Sequence, residues 1–459
     1  MDTSVERTTD DVFLKVEARG IEAVPPARRH GLPRHLAFLW AGAMANYASI
    51  LTASLLTSFF GLGVVDGIVA VALGSAAAAV ILGLLSNLGV RTGLPQVAST
   101  EGVFGDAGMR VAAFLTLFLA VGWFAVDSVI AAQAGVQLLA LAGLGALAAK
   151  LAFPFVLVIA AISVGVAVLG HATIQIVERW GAVAFGVLAL VLFVALAGQF
   201  HWATGPSLAG ADYPGGFVLG FMVCFALVAS WFPFASDYSR YLPADSSRLR
   251  VTLWPAAGIT ITMILFGLFG LLVSTIDPKL AAAPDGGVLA VITRHAPVVI
   301  SLPFFVFVVL GEIWANYLDV YTAGLVAQTI GLRLRRWQTA LGCGVLGALL
   351  ATYAVVVQDF HTAYEQFLLI TYLWAPAWAA VVLLAFNAVR RGGVRAAVLS
   401  WAAGTAASLV FVNYPNIFPS VTHGFNQPLI DALHGADLSG LVSAGVAAGC
   451  FLVLRRALR

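Results

Sequence analysis

Apolar residues in this chain come in long runs broken by short polar stretches. Twelve runs are long enough to be read as bilayer-crossing helices, at residues 36–58, 67–89, 111–135, 151–169, 176–198, 215–235, 251–275, 298–330, 338–357, 363–387, 396–412 and 435–454. Most come close to the ~20 residues that span the hydrocarbon core. The 298–330 run is longer and predicts a tilted or projecting helix. A β-barrel would instead show short alternating segments. Inside the 298–330 run, Glu312, Asn316 and Asp319 stand at i, i+4 and i+7, so a helix aligns them on one stripe. A charged side chain at mid-bilayer costs about 2.5–3.5 kcal/mol even on the lenient insertion scale. The stripe therefore faces other helices or a watered path, as in transporters and pumps.

Composition agrees with this reading. Hydrophobic residues make up 61% of the 459 and charged residues 10%, against about 25% charged in soluble chains. The fold class expected is an all-α polytopic membrane protein. With the N-terminus in the cytoplasm, 21 of the 24 Lys and Arg residues fall on the cytoplasmic side, and only Lys150, Lys279 and Arg294 fall outside. That asymmetry satisfies the positive-inside rule and supports twelve spans with both termini cytoplasmic, in a cell (inner or plasma) membrane. The first 35 residues are polar, with Pro25, Pro26 and Pro33. They read as a partly ordered cytoplasmic tail whose charge sets topology, with no cleavable signal peptide. The basic residues are spread over loops, leaving no nucleic-acid footprint. Cys224, Cys343 and Cys450 have neither metal nor disulfide spacing, and no obligate protein partner is evident.

Two runs carry signs of a broken helix. The first holds Gly42-Ala43-Met44-Ala45-Asn46, small residues around a polar one. The sixth holds Ser230-Trp231-Phe232-Pro233, followed by Ser236 and Asp237. Proline removes a backbone donor, and lipid cannot satisfy freed backbone groups, so breaks belong where protein or a cavity can. The two runs are five spans apart, the spacing a five-plus-five inverted repeat requires.

Four patches resemble the nucleobase–cation symporter-1 family, the purine, cytosine and hydantoin permeases. They are Ile21-Glu22 with Pro25 leading to Trp40 through Asn46; Thr92-Gly93-Leu94-Pro95 running to Phe104-Gly105; Gly122-Trp123-Phe124; and Ser236-Asp237-Tyr238-Ser239-Arg240-Tyr241-Leu242-Pro243. The resemblance runs from Ile21 to about Pro376 and is weaker beyond. It implies a LeuT-like transporter with 12 transmembrane helices. Residues 36–198 and 215–387 would form the two five-helix repeats, 396–454 two peripheral C-terminal helices, and 1–35 and 455–459 the tails. It further implies a planar heterocycle, of the cytosine or purine type, held between the first, third, sixth and eighth helices and imported by cation symport with alternating access.

On this resemblance Trp123 stacks on the substrate. A stacked base is worth about 1–3 kcal/mol in other systems. Asp127, one turn further on, accepts hydrogen bonds from the ring or carries a proton. Asn316 matches an amide of the fungal purine–cytosine branch and suits a base edge, offering donors and an acceptor. Trp231 resembles a Trp of the same branch, with Phe225 and Ser230 within two turns, and one of Phe225 and Trp231 supplies the second stacking face. Glu312 departs from the family and reads either as a proton site or as an interhelical bond. Asp319 reads as helical glue or vestibule polarity. Sodium-coupled relatives use helix-one carbonyls, here around Gly42, Ala43 and Asn46, together with helix-eight hydroxyls. The stretch Phe305–Asn316 has no Ser or Thr, so H⁺ is the favoured coupling ion and Na⁺ the other choice, with no cofactor or metal expected. Asp237 and Arg240 read as a structural or gating ion pair. His171, His201, His295 and His423 read as surface loop residues.

Other classes fit less well. An enzyme would need a nucleophile–base set or clustered ligands, and a channel would show pore-loop repeats or rings. The alternative within transporters is an amino-acid or vitamin-precursor permease on the same scaffold.

Overall fold

The computed structural model describes residues 11–282, 287–356, 373–387, 393–413 and 425–457. The described chain is helical. The first span divides into α1 (His35–Met44) and α2 (Tyr47–Ser58), bent 60° from each other. Then come α3 (Val64–Thr92), α4 (Glu101–Leu141), α5 (Gly145–Leu169), α6 (His171–Leu196) and α7 (Asp212–Ala229). A 3₁₀ turn at Phe232–Phe234 and the single helical turn α8 (Ala235–Ser239) complete the sixth span. Beyond lie α9 (Arg248–Ser274), the short α10 (Pro278–Ala281) and α11 (Val288–His295), α12 (Val298–Ile330) and α13 (Arg336–Val356). The last four helices are α14 (Ala375–Asn387), α15 (Val394–Phe411), α16 (Gln427–Ala432) and α17 (Ser439–Ala457).

Among the described residues ten helices are long and apolar enough to cross a membrane, and the bent first pair makes eleven. The first ten residues of the run expected at 363–387 lie outside the described residues, and the rest carries α14. The other runs coincide with helices to within a few residues, except that α4 extends well past both ends of 111–135. Gly105, at φ 71°, interrupts its first turn in the left-handed region that a side chain disfavours.

Both expected breaks are present. At the first, Ala45 leaves the helical region and Asn46 is extended. The freed groups are then satisfied internally, as an apolar interior demands. Asn46 Oδ1 accepts from Ser49 N at 3.1 Å, Asn46 Nδ2 donates to Ala43 O at 3.1 Å, and Ser49 Oγ donates to Met44 O at 2.7 Å. α12 packs along α4, and α3 along α9 and α7. α9 lies so close to the first span that a Cβ at Gly258 would stand 2.2 Å from Ala37 O, and one at Gly270 2.1 Å from Ile50 O.

Residues 11–34 of the N-terminal segment form a strap folded across one end of the bundle. Glu17 is buried there. Its carboxylate accepts from Arg240 Nη2 at 3.1 Å, Tyr321 Oη at 3.2 Å, His171 N at 2.9 Å and the Tyr241 hydroxyl. Arg240 Nη1 donates to Gly20 O at 2.6 Å, and Arg336 Nε to Glu17 O at 3.1 Å. Arg240 and Arg336 are thus interior residues, 0% and 1% exposed. The expected Asp237–Arg240 pair is corrected. Arg240 pairs with Glu17, whereas Asp237 accepts from Gln96 N and Thr322 Oγ1. His171 is corrected too, being buried and stacked on Tyr241, because the strap covers the α5–α6 corner. Its Nδ1 meets Asp11 Oδ2 at 2.6 Å, with His30 Nε2 at 3.2 Å from the same oxygen. Burial pushes the Asp11 carboxyl up, but the neighbouring His171 and His30 rings outweigh it and hold it well below the usual carboxylate range. His201 and His295 are surface residues as expected, and His423 lies outside the described residues.

Candidate functional site

The break in the first span is where the polar interior converges. Ending one helix and starting another leaves unpaired N–H groups at the new N-terminus, which attracts negative charge. Glu312 of α12 supplies it. Its Oε1 accepts from Tyr47 N at 2.8 Å. The close crossing depends on Gly311, whose Cβ would stand 2.9 Å from Ala45 O. Glu312 thus makes an interhelical bond, one of the two readings its spacing allowed.

Asp127 of α4 comes within hydrogen-bonding reach of Glu312. It is 2% exposed and Glu312 is 0% exposed, with no salt bridge to either among the described residues. Two carboxyls this close in apolar surroundings oppose each other's ionisation. One turn along α12, Asn316 Nδ2 donates to Ser128 Oγ at 3.0 Å, and Ser128 in turn donates to Phe124 O. The Asn316 Oδ1 atom is buried with no hydrogen-bond partner among the described residues. Asp319 completes the stripe, and neither of its oxygens has a hydrogen-bond partner among the described residues.

Trp123 is one turn before Asp127 and buried. At the other break Trp231 is packed edge-on against Trp40 of α1, ring centroids 5.7 Å apart, and against Phe234 at 5.1 Å. Phe225 lies elsewhere. Its ring edge faces Gly440 of α17 and it packs on Phe221 and Phe232. Ser230 Oγ is turned back to Leu227 O at 2.7 Å. Gly42 O and Ala43 O each already accept a bond, from Ala45 N and Asn46 Nδ2, so Asn46 caps the break. The structure therefore brings together Asp127, Glu312, Asn316 and the first break, and sets Phe225 apart from them. Asp127, Glu312, Asn316 and Asn46 are all buried.

Two features escaped the sequence reading. One is the strap network on Glu17. The other is Glu178 of α6, fully buried against the Gly42 turn. Its position beside Arg179, at the end of an apolar run, was the only signal available.

A family model described as "permease for cytosine/purines, uracil, thiamine, allantoin" matches residues 23–399. The Bacillus subtilis protein YxlA, named as a purine-cytosine permease, is 25% identical over 96% of both chains. The Emericella nidulans purine-cytosine permease fcyB is 22% identical over 83% of this chain and 75% of its own. In structure the chain is similar to Mhp1, a nucleobase-cation-symport-1 family transporter in a closed conformation with bromovinylhydantoin bound. The TM-score is 0.70 at 17% identity, covering 97% and 96% of the two chains. It also resembles MhsT in complex with L-phenylalanine, with a TM-score of 0.56 at 14% identity, covering 92% and 98%. The two structures establish the fold, that of the LeuT-like transporters.

Proposed function

This chain belongs to the family of permeases for cytosine and purines, uracil, thiamine and allantoin, and we propose that it imports a nucleobase or closely related planar heterocycle together with a proton. It is a membrane transporter that works by alternating access. Trp123 and Trp231 are the two ring faces, Asn316 reads the base edge through its free carbonyl, and the Asp127–Glu312 pair carries the proton. Phe225 has no direct part in this reading, and Ser230 contributes only through its backbone turn.

The observation that carries the proposal is the Asp127–Glu312 contact at the helix break. A proton arriving at the pair neutralises its remaining charge, so the loaded carrier reorients without dragging a bare carboxylate through hydrocarbon. Sodium is a hard cation that wants several oxygen ligands. Phe305–Asn316 offers no hydroxyl, and the Gly42 and Ala43 carbonyls are already engaged. The membrane orientation follows from charge. The division of Lys and Arg residues between the two sides, 21 against 3, supports a cytoplasmic strap in a cell membrane under the positive-inside rule.

Uptake of radiolabelled cytosine, adenine, hypoxanthine, uracil and allantoin into proteoliposomes tests the reading, with an amino-acid mixture as competitor. Uptake of at least one base should rise with an inward pH gradient and be indifferent to replacing sodium by choline. Trp123→Ala should lose uptake at normal membrane level while Trp123→Phe retains part. A strict sodium requirement at constant pH would overturn the proton, and displacement by amino acids alone would overturn the substrate class.

A further inference from the structure

α12 has a second polar face. Tyr317 follows Asn316 by one residue, about 100° further round the helix and away from the Glu312 stripe. It points toward Glu178 of α6. Glu178 is 0% exposed. Neither of its oxygens makes a well-formed hydrogen bond, and nor does the Tyr317 hydroxyl, although that hydroxyl lies within reach of the carboxyl. The third wall is the first span. A Cβ at Gly42 would stand 1.7 Å from Glu178 Oε2, so the carboxyl rests directly on the α1 backbone, with room made by the glycine. The junction is held from the side by Trp314, whose Nε1 donates to Val177 O at 3.2 Å.

The electrostatics of this pocket run mainly one way. Gly42 lies in the last turn of α1, the negative end of the helix dipole, where a carboxylate is disfavoured. Of the charged and titratable groups around Glu178, only the Tyr317 hydroxyl is placed to favour a charged carboxyl. Tyr317 faces it from α12, with Tyr238 beyond at the α8 end. Arg179, next in sequence, is exposed and turned toward the Phe38 and Trp180 rings. His35 is two turns earlier on α1. No salt bridge reaches Glu178 among the described residues. Nor do any His, Cys, Asp and Glu side chains among them cluster closely enough to hold a metal ion. A bare carboxylate here would carry the desolvation cost of an unpaired buried charge. A proton removes that cost without requiring any ligand shell.

We infer that Glu178, with Tyr317 and the Gly42 turn, is a second proton-carrying site of the transporter, on the opposite face of α12 from the Asp127–Glu312 pair. Occupied, it lets α1 close onto α6 and α12. When α1 swings away and water enters, the carboxyl ionises and the proton leaves on that side. The inference rests on the proton-coupled reading above. It adds a separate carrier placed at the hinge of the first span, not at the substrate.

The test is the limiting accumulation of substrate in proteoliposomes at several pH gradients and zero membrane potential. Each coupled proton multiplies the limit about tenfold per pH unit. Glu178→Gln, a mimic of the protonated side chain, should lower the slope of log accumulation against pH gradient by one, a loss of about tenfold per unit. Substrate-for-substrate exchange checks that the variant is folded. Where Glu178→Gln fails to reach the membrane, Tyr317→Phe keeps the carboxyl and should shift the pH midpoint of uptake while leaving the slope. An unchanged slope in folded Glu178→Gln, or an unchanged midpoint in Tyr317→Phe, overturns the assignment. A wild-type slope of zero instead overturns proton coupling itself, so the two failures are told apart.

Discussion

Glu17→Ala should unfasten the strap. In the closed protein the Glu17 carboxylate is 3% exposed and takes bonds from Arg240, Tyr241, Tyr321 and the His171 backbone. Truncation leaves the Arg240 guanidinium buried without its counter-charge. Removing one partner of a buried ion pair costs about 3–5 kcal/mol. Arg240 keeps Gly20 O and the Tyr321 hydroxyl as partners, and Arg336 still holds the Glu17 backbone carbonyl, which places the expectation at the low end, about 3 kcal/mol. At about 1.4 kcal/mol per decade, that multiplies the detached population roughly a hundredfold. Trypsin cleavage at Lys15 or Arg19 reads that population directly when reattachment outpaces cleavage. The rate should rise by about that factor, and amide exchange should quicken at Leu14, Val24 and His30, whose N–H groups are tied to Thr173, Gly93 and Tyr241. The double change Glu17→Ala with Arg240→Ala should be milder than the sum of the singles, because Arg240 is then no longer left without its counter-charge, although Arg336 still loses its 3.9 Å approach to the carboxylate. A tryptic rate equal to wild type in Glu17→Ala would refute the reasoning, for it would mean that apolar packing alone holds the strap.

Three further outcomes follow from the same geometry. Asn316→Ala removes the amide that bonds Ser128 and presents a free carbonyl; at about 1–3 kcal/mol, substrate competition should weaken about tenfold to a hundredfold and the preference among bases should change, whereas identical competition by every base would remove Asn316 from the site. Gly311→Ala would put a Cβ 2.9 Å from Ala45 O and 3.2 Å from Asn46 Cα; overpacking of this kind costs about 1–3 kcal/mol, so thermal stability should fall and uptake with it, and wild-type behaviour in both would show that the crossing has slack. For the strap's acid sensitivity, Asp11 has a carboxyl held below its ordinary value, so its contribution is fully present above about pH 3.9 and is lost only as the pH falls through the lowered value; cleavage of the strap at pH 5 should show no loosening traceable to Asp11, and an Asp11→Asn variant that abolished a loosening between pH 7 and pH 5 would contradict this.

What the sequence could disclose was whatever is local to one helix. Hydropathy located the spans because each is a continuous apolar run. The breaks at Ala45–Asn46 and Ser230–Pro233 were visible because small residues and a proline interrupt those runs. The stripe of Glu312, Asn316 and Asp319 was visible because helical geometry alone aligns them. What stayed hidden depends on partners far along the chain. Arg240 and Arg336 counted as loop charges that set topology, yet both are interior, because their partner Glu17 lies 223 and 319 residues away. The path of the strap stayed hidden for the same reason, since a polar segment discloses no docking site until the buried charges that match it are known. Glu178 was passed over because it borders Arg179 at the end of a run, where hydropathy does not separate a surface acid from a buried one. The rotation of α4 against α12 is the decisive case. Periodicity put Asp127 on the Trp123 face and Glu312 on the Asn316 face, and left Glu312 open as proton site or interhelical bond. Once the two helices are docked, Glu312 bonds the α2 N-terminus and meets Asp127, so the alternatives cease to exclude each other. On the proposed reading, in which the pair carries the coupling proton, a change in its protonation acts directly on the break in the first span, because Glu312 holds the Tyr47 N–H at the start of α2.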